Sequence, residues 1–263
     1  YLFMRGRRAT RPSYLKAAGL AALSFRRVVV DGRHGSAAVC GTLCAVDLIE
    51  RLLGIDVSAL SDADKTLPVV DHAVRAMVPE VRMAGPAFTV LAEDDHLPVM
   101  SALAAAAPGD VLVIATNGGS RAVFGELFAG EARRRGLAGI VADGFCRDLR
   151  GLRGIGLPVF ARGTTPRSGT TVSRAAPGAT IVCGGVEVSA GDIVFGDDDG
   201  VLIAPAQRIA AALEAAELIG HSERAILAAQ ARGEALHGLT NHDEHLAALD
   251  RGESSALAFR VDG

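Results

Sequence analysis

At 263 residues, with 49% hydrophobic and 22% charged side chains, the chain can bury a large core as one domain. Its net charge of −3, 4% aromatic content and lack of tryptophan offer neither a basic field nor a stacking platform, so no nucleic-acid partner is expected. No apolar run reaches the roughly 18 residues that a membrane span needs, so no membrane partner is expected either.

Residues 1–35 carry Arg5, Arg7, Arg8, Arg11, Lys16, Arg26, Arg27 and Arg33 against a single acid, Asp31. This reads as a basic, ordered N-terminal extension rather than a targeting signal. From Val39 to Gly54, apolar residues recur at helical spacing, with Gly54 as the stop. Asp56 to Leu67 reads as a loop with a helical turn. Gly85-Pro86 then fixes the start of a strand through Val90, and His96 to Ala107 forms a helix ended by Pro108-Gly109.

The centre of the chain is Gly109 to Asp148. Val111 to Ile114 is a short apolar run of strand type, Ala122 to Arg135 has helical periodicity, and Gly139 to Ala142 is a second apolar run. Such a β-α-β unit makes the two strands parallel, so Asn117-Gly118-Gly119 and the polar loop Asp143 to Asp148 emerge at one edge, where α/β sheets bind ligands. Beyond Asp148, short strands at Leu157 to Ala161, Thr180 to Val182, Val186 to Val188, Asp192 to Phe195 and Val201 to Ala204 alternate with glycine-rich turns. Asp197-Asp198-Asp199-Gly200 could bind a hard cation, but Asp-Gly between two apolar strands favours a hairpin turn. Ala206 to Glu234 forms a long helical region with a break at Gly220, and residues 237–263 form a polar tail.

Cys40, Cys44, Cys146 and Cys183 are scattered and read as reduced thiols of a cytoplasmic protein; Cys40-x3-Cys44 lacks the partner motif of a zinc site. Cys146 beside Arg147 could be an activated thiol, but no histidine is near it in sequence. The seven histidines form no HxxxH pair.

The segments MAGPAFTV (Met83 to Val90), PGDVLVI (Pro108 to Ile114), FGELFA (Phe124 to Ala129), GIVADGFCRD (Gly139 to Asp148), LPVFARGTTPR (Leu157 to Arg167) and GDDDGVLIAP (Gly196 to Pro205) resemble the RraA-like family in residue type and order. The resemblance covers residues 36–236, leaving the basic extension and the tail outside it. Family members usually continue the first strand of the central unit into Asp-Gly, where this chain has Ala115-Thr116-Asn117-Gly118.

The resemblance implies an α/β fold of the swivelling β/β/α type, three layers in a single domain, assembled as a homo-oligomer (trimer or hexamer) with active sites shared between subunits. It implies a divalent-metal-dependent pyruvate aldolase, using Mg²⁺ or Mn²⁺ on a small-molecule 2-oxo acid substrate such as 4-hydroxy-4-methyl-2-oxoglutarate. Oxaloacetate decarboxylation is the expected side activity. Gly125, Glu126, Leu127 and Phe128 match the family's substrate-binding turn, Arg147 its substrate-binding arginine and Asp148 its metal ligand. Glu126 matches the acid that holds metal-bound water, and Glu223 falls near the acid contributed by a neighbouring subunit.

The chemistry suits those residue types. Retro-aldol cleavage must hold a carboxylate, stabilise an enolate oxygen and accept a proton from the C4 hydroxyl. A helix beginning near Gly125 would aim the N–H groups of Leu127 and Phe128 at the carboxylate, Arg147 would offer a planar fork, and Asp148 would hold the cation. The central unit contains no lysine for a Schiff base.

Plainer readings of the same residues stand beside this one. Arg147-Asp148 could be a surface pair with Asp148 capping the next helix, and Glu223 could lie on a solvated helix face. A different class of function is also open, since some family members inhibit ribonuclease E by protein contact, which needs no metal pocket. A nucleotide-binding methyltransferase is not supported, because no glycine-rich loop follows a first strand.

Overall fold

The structure, a computed structural model, describes residues 46–260. The basic extension, the start of the first helix, Cys40 and Cys44 lie outside the described residues. The first described element, α1, spans 46–52. It is followed by α2 (Val57–Ala63), β1 (Arg75–Ala76), β2 (Met83–Leu91), α3 (Leu97–Ala105) and β3 (Val111–Ala115). Next come β4 (Ala122–Phe124), α4 (Glu126–Arg134), β5 (Gly139–Cys146), α5 (Leu149–Ile155) and β6 (Val159–Thr164). The chain closes with β7 (Ile181–Cys183), β8 (Val186–Val188), β9 (Ile193–Asp197), β10 (Gly200–Ala204), α6 (Ala206–Ala231) and α7 (His242–Asp250).

The main sheet runs β1-β6-β5-β3-β2-β9-β10, with β4 added on β5. Its centre is parallel: β2 with β3, β3 with β5 and β5 with β6, while β9 and β10 form an antiparallel hairpin. Residues of β3, β5 and β6 alternate between two cores. Leu112, Ile114, Ile140, Ala142, Val159 and Ala161 point to one, and Val111, Val113, Val141 and Phe160 to the other. Strands covered on both faces read as unbroken apolar runs, which is why these segments lack polar alternation. The first core lies beneath α3, α4 and α5, and the second beneath the β7-β8 hairpin. Helices, sheet and hairpin thus make the three layers. Leu52, Leu60, Phe195, Leu202, Ile209 and Leu213 form a third core that seats α2 and α6 against β9 and β10.

Several local expectations need correction. Gly85-Pro86 does not start its strand; it sits where β2 changes partners, residues 83–86 pairing with β9 and residues 87–91 with β3. Proline has no N–H to give to a ladder, and a Cβ at Gly85 would lie 2.3 Å from the Gly109 carbonyl oxygen, so the changeover suits both residues. Residues 122–124 are a strand, and the helix begins only at Glu126. Asp143 to Cys146 is not a loop but the end of β5, with an irregular register against β6 between Ala142 and Phe145. Gly220 does not break α6: it is buried within one continuous helix. The tail contains α7 and is closed by a bridge between Thr240 and Phe259. The Asp-Gly hairpin is present as read, with Asp197 paired to Gly200.

Candidate active site

β4 positions the site. It pairs in parallel with the end of β5, Ala122 against Phe145 and Phe124 against Cys146, and the Arg147 N–H donates to the Phe124 carbonyl at 3.1 Å. On its other side, Ala122 exchanges backbone bonds with Arg167 and Gly169 at 2.8 and 3.0 Å. So fixed, β4 delivers the chain into α4 beside the first residues beyond β5. Gly125 is the N-cap of α4 and gives no side-chain cap, so the first-turn N–H groups face outward and favour an anion.

Asp148 begins α5 in the left-handed region (φ 60°) and does not cap its own helix. Its Oδ2 lies 3.4 Å from the Glu126 N–H, at the open end of α4, and 3.3 Å from Arg147 Nε. The expectation that Asp148 caps the next helix is therefore not met, and the carboxylate belongs to the neighbouring helix terminus. Arg147 has no other side-chain partner among the described residues, so most of its donor fork is free.

Arg147, Asp148, Gly125, Leu127 and Phe128 line one pocket together with His96 and Ser168. Glu126 stands beside this pocket but not in its lining: its side chain lies across α5, where a Cβ at Gly151 would come within 1.8 Å of Oε2. Glu223 is not brought to its own chain's site. It lies on α6, which packs on α2 on the β9-β10 side, and its side chain has no hydrogen-bond or ion-pair partner among the described residues.

Asn117-Gly118-Gly119 leaves the same sheet edge as β5 but does not line the pocket. Instead it holds the frame: Thr116 Oγ1 donates to the Asp143 carbonyl at 2.6 Å and Asn117 Nδ2 to Glu93 at 2.6 Å. Asp143 itself points to the hairpin layer, accepting from the Gly184 N–H at 2.8 Å and pairing with Arg162. Arg162 also reaches Asp71 at 3.1 Å, and these two carboxylates hold the guanidinium pKa above its ordinary value. Arg162 is thus removed from the pocket.

Cys146 is no nucleophile in this setting. It is fully buried, and burial pushes its thiol up to about 11. The acidic turn is likewise structural: Asp197 accepts from the Val57 and Asp199 N–H groups at 2.9 and 3.0 Å, and Asp198 from the Glu80 N–H at 2.9 Å. Among the described residues, no group of three or more His, Cys, Asp and Glu side chains is arranged to hold a metal ion. None of the described helices is long and apolar enough to cross a membrane.

His96 and Ser168 also line the pocket, a placement that the sequence did not reveal. Their segments are tied together by Asp95, which is 1% exposed and accepts from the Leu97, Val172 and Ser173 N–H groups and from Thr170 Oγ1 at 2.7–3.0 Å. Burial pushes this carboxyl up, but the four bonds outweigh it and bring the pKa to about 2, below the ordinary 3.8. Asp95→Ala leaves those donors unpaired and should cost about 3 kcal/mol in urea unfolding. The sign follows from the lowered pKa. The stabilising contribution is complete above about pH 4 and fades as pH falls toward 2, so the gap between wild type and variant should narrow in acid. A gap that is small at pH 7, or constant down to pH 2, would show that Asp95 is not the clamp.

The family model described as RraA-like, Aldolase/RraA, matches residues 57–203. A relative from Halalkalibacterium halodurans named "Putative 4-hydroxy-4-methyl-2-oxoglutarate aldolase" is 36% identical over 162 residues, 61% of this chain and 77% of the relative. Among solved structures, an uncharacterized protein from Pseudomonas syringae pv. tomato superposes with a TM-score of 0.66 at 26% identity, covering 74% of this chain and 92% of that one. The RNA-processing inhibitor RraA from Thermus thermophilis superposes with a TM-score of 0.53 at 27% identity, over 57% of this chain and 92% of the other.

Proposed function

This chain belongs to the RraA-like family, and on that premise we propose that it is a lyase that cleaves a 4-hydroxy-2-oxo acid to release pyruvate with the help of a divalent cation. The observation that carries the reading is the meeting of Arg147, Asp148 and the open N-terminus of α4 at one pocket.

Asp148 offers one carboxylate, with Oδ1 free among the described residues, and no cluster of further ligands surrounds it. Such a donor set fits Mg²⁺ or Mn²⁺, ions of a kind held through one or two carboxylates while keeping much of their water. When bound, the cation would act as a Lewis acid toward the developing enolate.

The remaining tasks fall to the chain itself. The guanidinium of Arg147 grips the substrate carboxylate and the C2 oxygen, and the Leu127 and Phe128 N–H groups share the carboxylate's charge. Gly125 lets the substrate approach the backbone. As the C3–C4 bond breaks, the C4 hydroxyl gives its proton to water at the pocket, beside which Glu126 stands, C4 becomes a carbonyl, and the bonding pair remains as the pyruvate enolate, which takes a proton at C3. Loss of CO₂ from oxaloacetate leaves the same enolate, so decarboxylation is the companion activity. No lysine lines the pocket, which gives a Schiff-base route no support.

Glu223, remote from its own site, would complete the site of a neighbouring copy in a homo-oligomer. One of the structural relatives is named as an RNA-processing inhibitor, and a regulator acting on ribonuclease E by surface contact would have no use for this pocket. The pocket favours the enzyme.

The reading is tested by pyruvate release from 4-hydroxy-4-methyl-2-oxoglutarate and from oxaloacetate. Turnover should stop with EDTA and return with Mg²⁺ or Mn²⁺. A protein that releases pyruvate from neither acid at any metal concentration would end the proposal.

A further inference from the structure

Resting on that reading, we infer that His96 determines specificity for the end of the substrate remote from its 2-oxo acid head, and that it reads a carboxylate there. The head is accounted for by Arg147, Asp148 and the first turn of α4. Beyond those groups, the polar side chains in the pocket's lining are His96 and Ser168.

Three arginines in this part of the chain could have served instead. Arg162 is held by Asp143 and Asp71 in the hairpin layer. Arg121 donates to the Ser168 carbonyl at 3.3 Å, and neither Arg121 nor Arg167 lines the pocket.

His96 is built for the role. Its backbone N–H donates to the Thr170 carbonyl at 3.0 Å, and Asp95 beside it is clamped by four bonds. Its ring stands edge-on to Phe128, with centroids 5.9 Å apart and planes at 83°. Phe128 belongs to the first turn of α4, so the imidazole is held at a fixed place relative to the N–H groups that receive the head. Neither ring nitrogen has a hydrogen-bond partner among the described residues. A half-buried imidazole, immobilised but unpaired in a pocket, presents a donor to whatever lies beyond the head.

The test compares two unreactive acids of equal length by calorimetry with Mg²⁺ present: 2-oxoglutarate, with a remote carboxylate, and 2-oxopentanoate, with a methyl group in its place. Wild type should prefer 2-oxoglutarate by at least tenfold. His96→Phe keeps a ring against Phe128 but removes both nitrogens; it should erase that preference while holding 2-oxopentanoate within twofold of wild type. His96→Gln, which restores a donor, should recover part of the preference and serves as the second variant should the phenylalanine protein fold poorly. An intact preference in the variants, no preference in wild type, or an equal loss for both acids would overturn the assignment. If wild type binds 2-oxopentanoate and 2-oxoglutarate alike, only the role of His96 falls. If it binds neither, the 2-oxo acid reading falls and His96 with it.

Discussion

The Asp148→Asn protein should fold as wild type does and yet release pyruvate at least about 10³-fold more slowly at saturating Mg²⁺, a loss of about 4 kcal/mol in transition-state stabilisation. Both halves of that expectation come from where Asp148 sits. Its φ of 60° is a conformation that asparagine tolerates at least as well as aspartate, so the backbone at the start of α5 is undisturbed. Its side chain does not cap α5, so no cap is lost. What asparagine removes is the negative charge at the mouth of α4, and with it the proposed hold on the cation. Alanine would be the poorer probe, because strain at a left-handed residue would be confounded with loss of the ligand. Circular dichroism and a Mg²⁺ titration of kcat/KM check the two halves separately. Activity within tenfold of wild type, with unchanged Mg²⁺ dependence, would remove Asp148 from the metal site.

The central β-α-β unit was legible because its strands are covered on both faces and so appear as apolar runs bounded by glycine. The Asp-Gly hairpin was legible because its signal is local. β4 was not: a single glycine, Gly125, parts Ala122-Val123-Phe124 from the helix that follows, and three apolar residues carry no period that separates strand from helix. The strand character of Asp143 to Cys146 was hidden for another reason. A charged residue inside a strand looks like a loop until its partners are known, and Arg162 and Gly184 reach Asp143 from other segments. Gly220 continues its helix because burial outweighs a propensity cost of about 1 kcal/mol.

The candidate site divides along the same line. Arg147, Asp148 and the Gly125 turn are sequence neighbours of recognisable elements, and the structure brings them together. His96 gave no signal, since a lone histidine at a helix start is commonplace and its approach to Phe128 is a tertiary fact. The left-handed Asp148, which turns its carboxylate toward α4 rather than along α5, is likewise visible only in three dimensions.

Gly125→Ala should lower kcat/KM by at least about 10²-fold, nearly 3 kcal/mol, although no chemical group is lost. The cause is steric and local. A Cβ on Gly125 would stand 2.4 Å from Asp148 Oδ2 and 2.8 Å from Arg147 Cγ, so both side chains must move to admit it. Backbone strain is not the cause, because Gly125 has φ −159° and ψ −157°, extended values open to alanine. Stability should fall by only about 1–2 kcal/mol, since Asp148 and Arg147 are partly exposed and can yield toward solvent. Gly130→Ala supplies the control within the same helix. There the added methyl meets nothing nearer than Ile155 Cδ1 at 3.9 Å, so activity should be unchanged and the helix gain about 0.5–1 kcal/mol. Thermal unfolding and steady-state kinetics of the pair separate the two effects. Should Gly125→Ala turn over like wild type, Asp148 and Arg147 could not be holding substrate and cation where the structure places them.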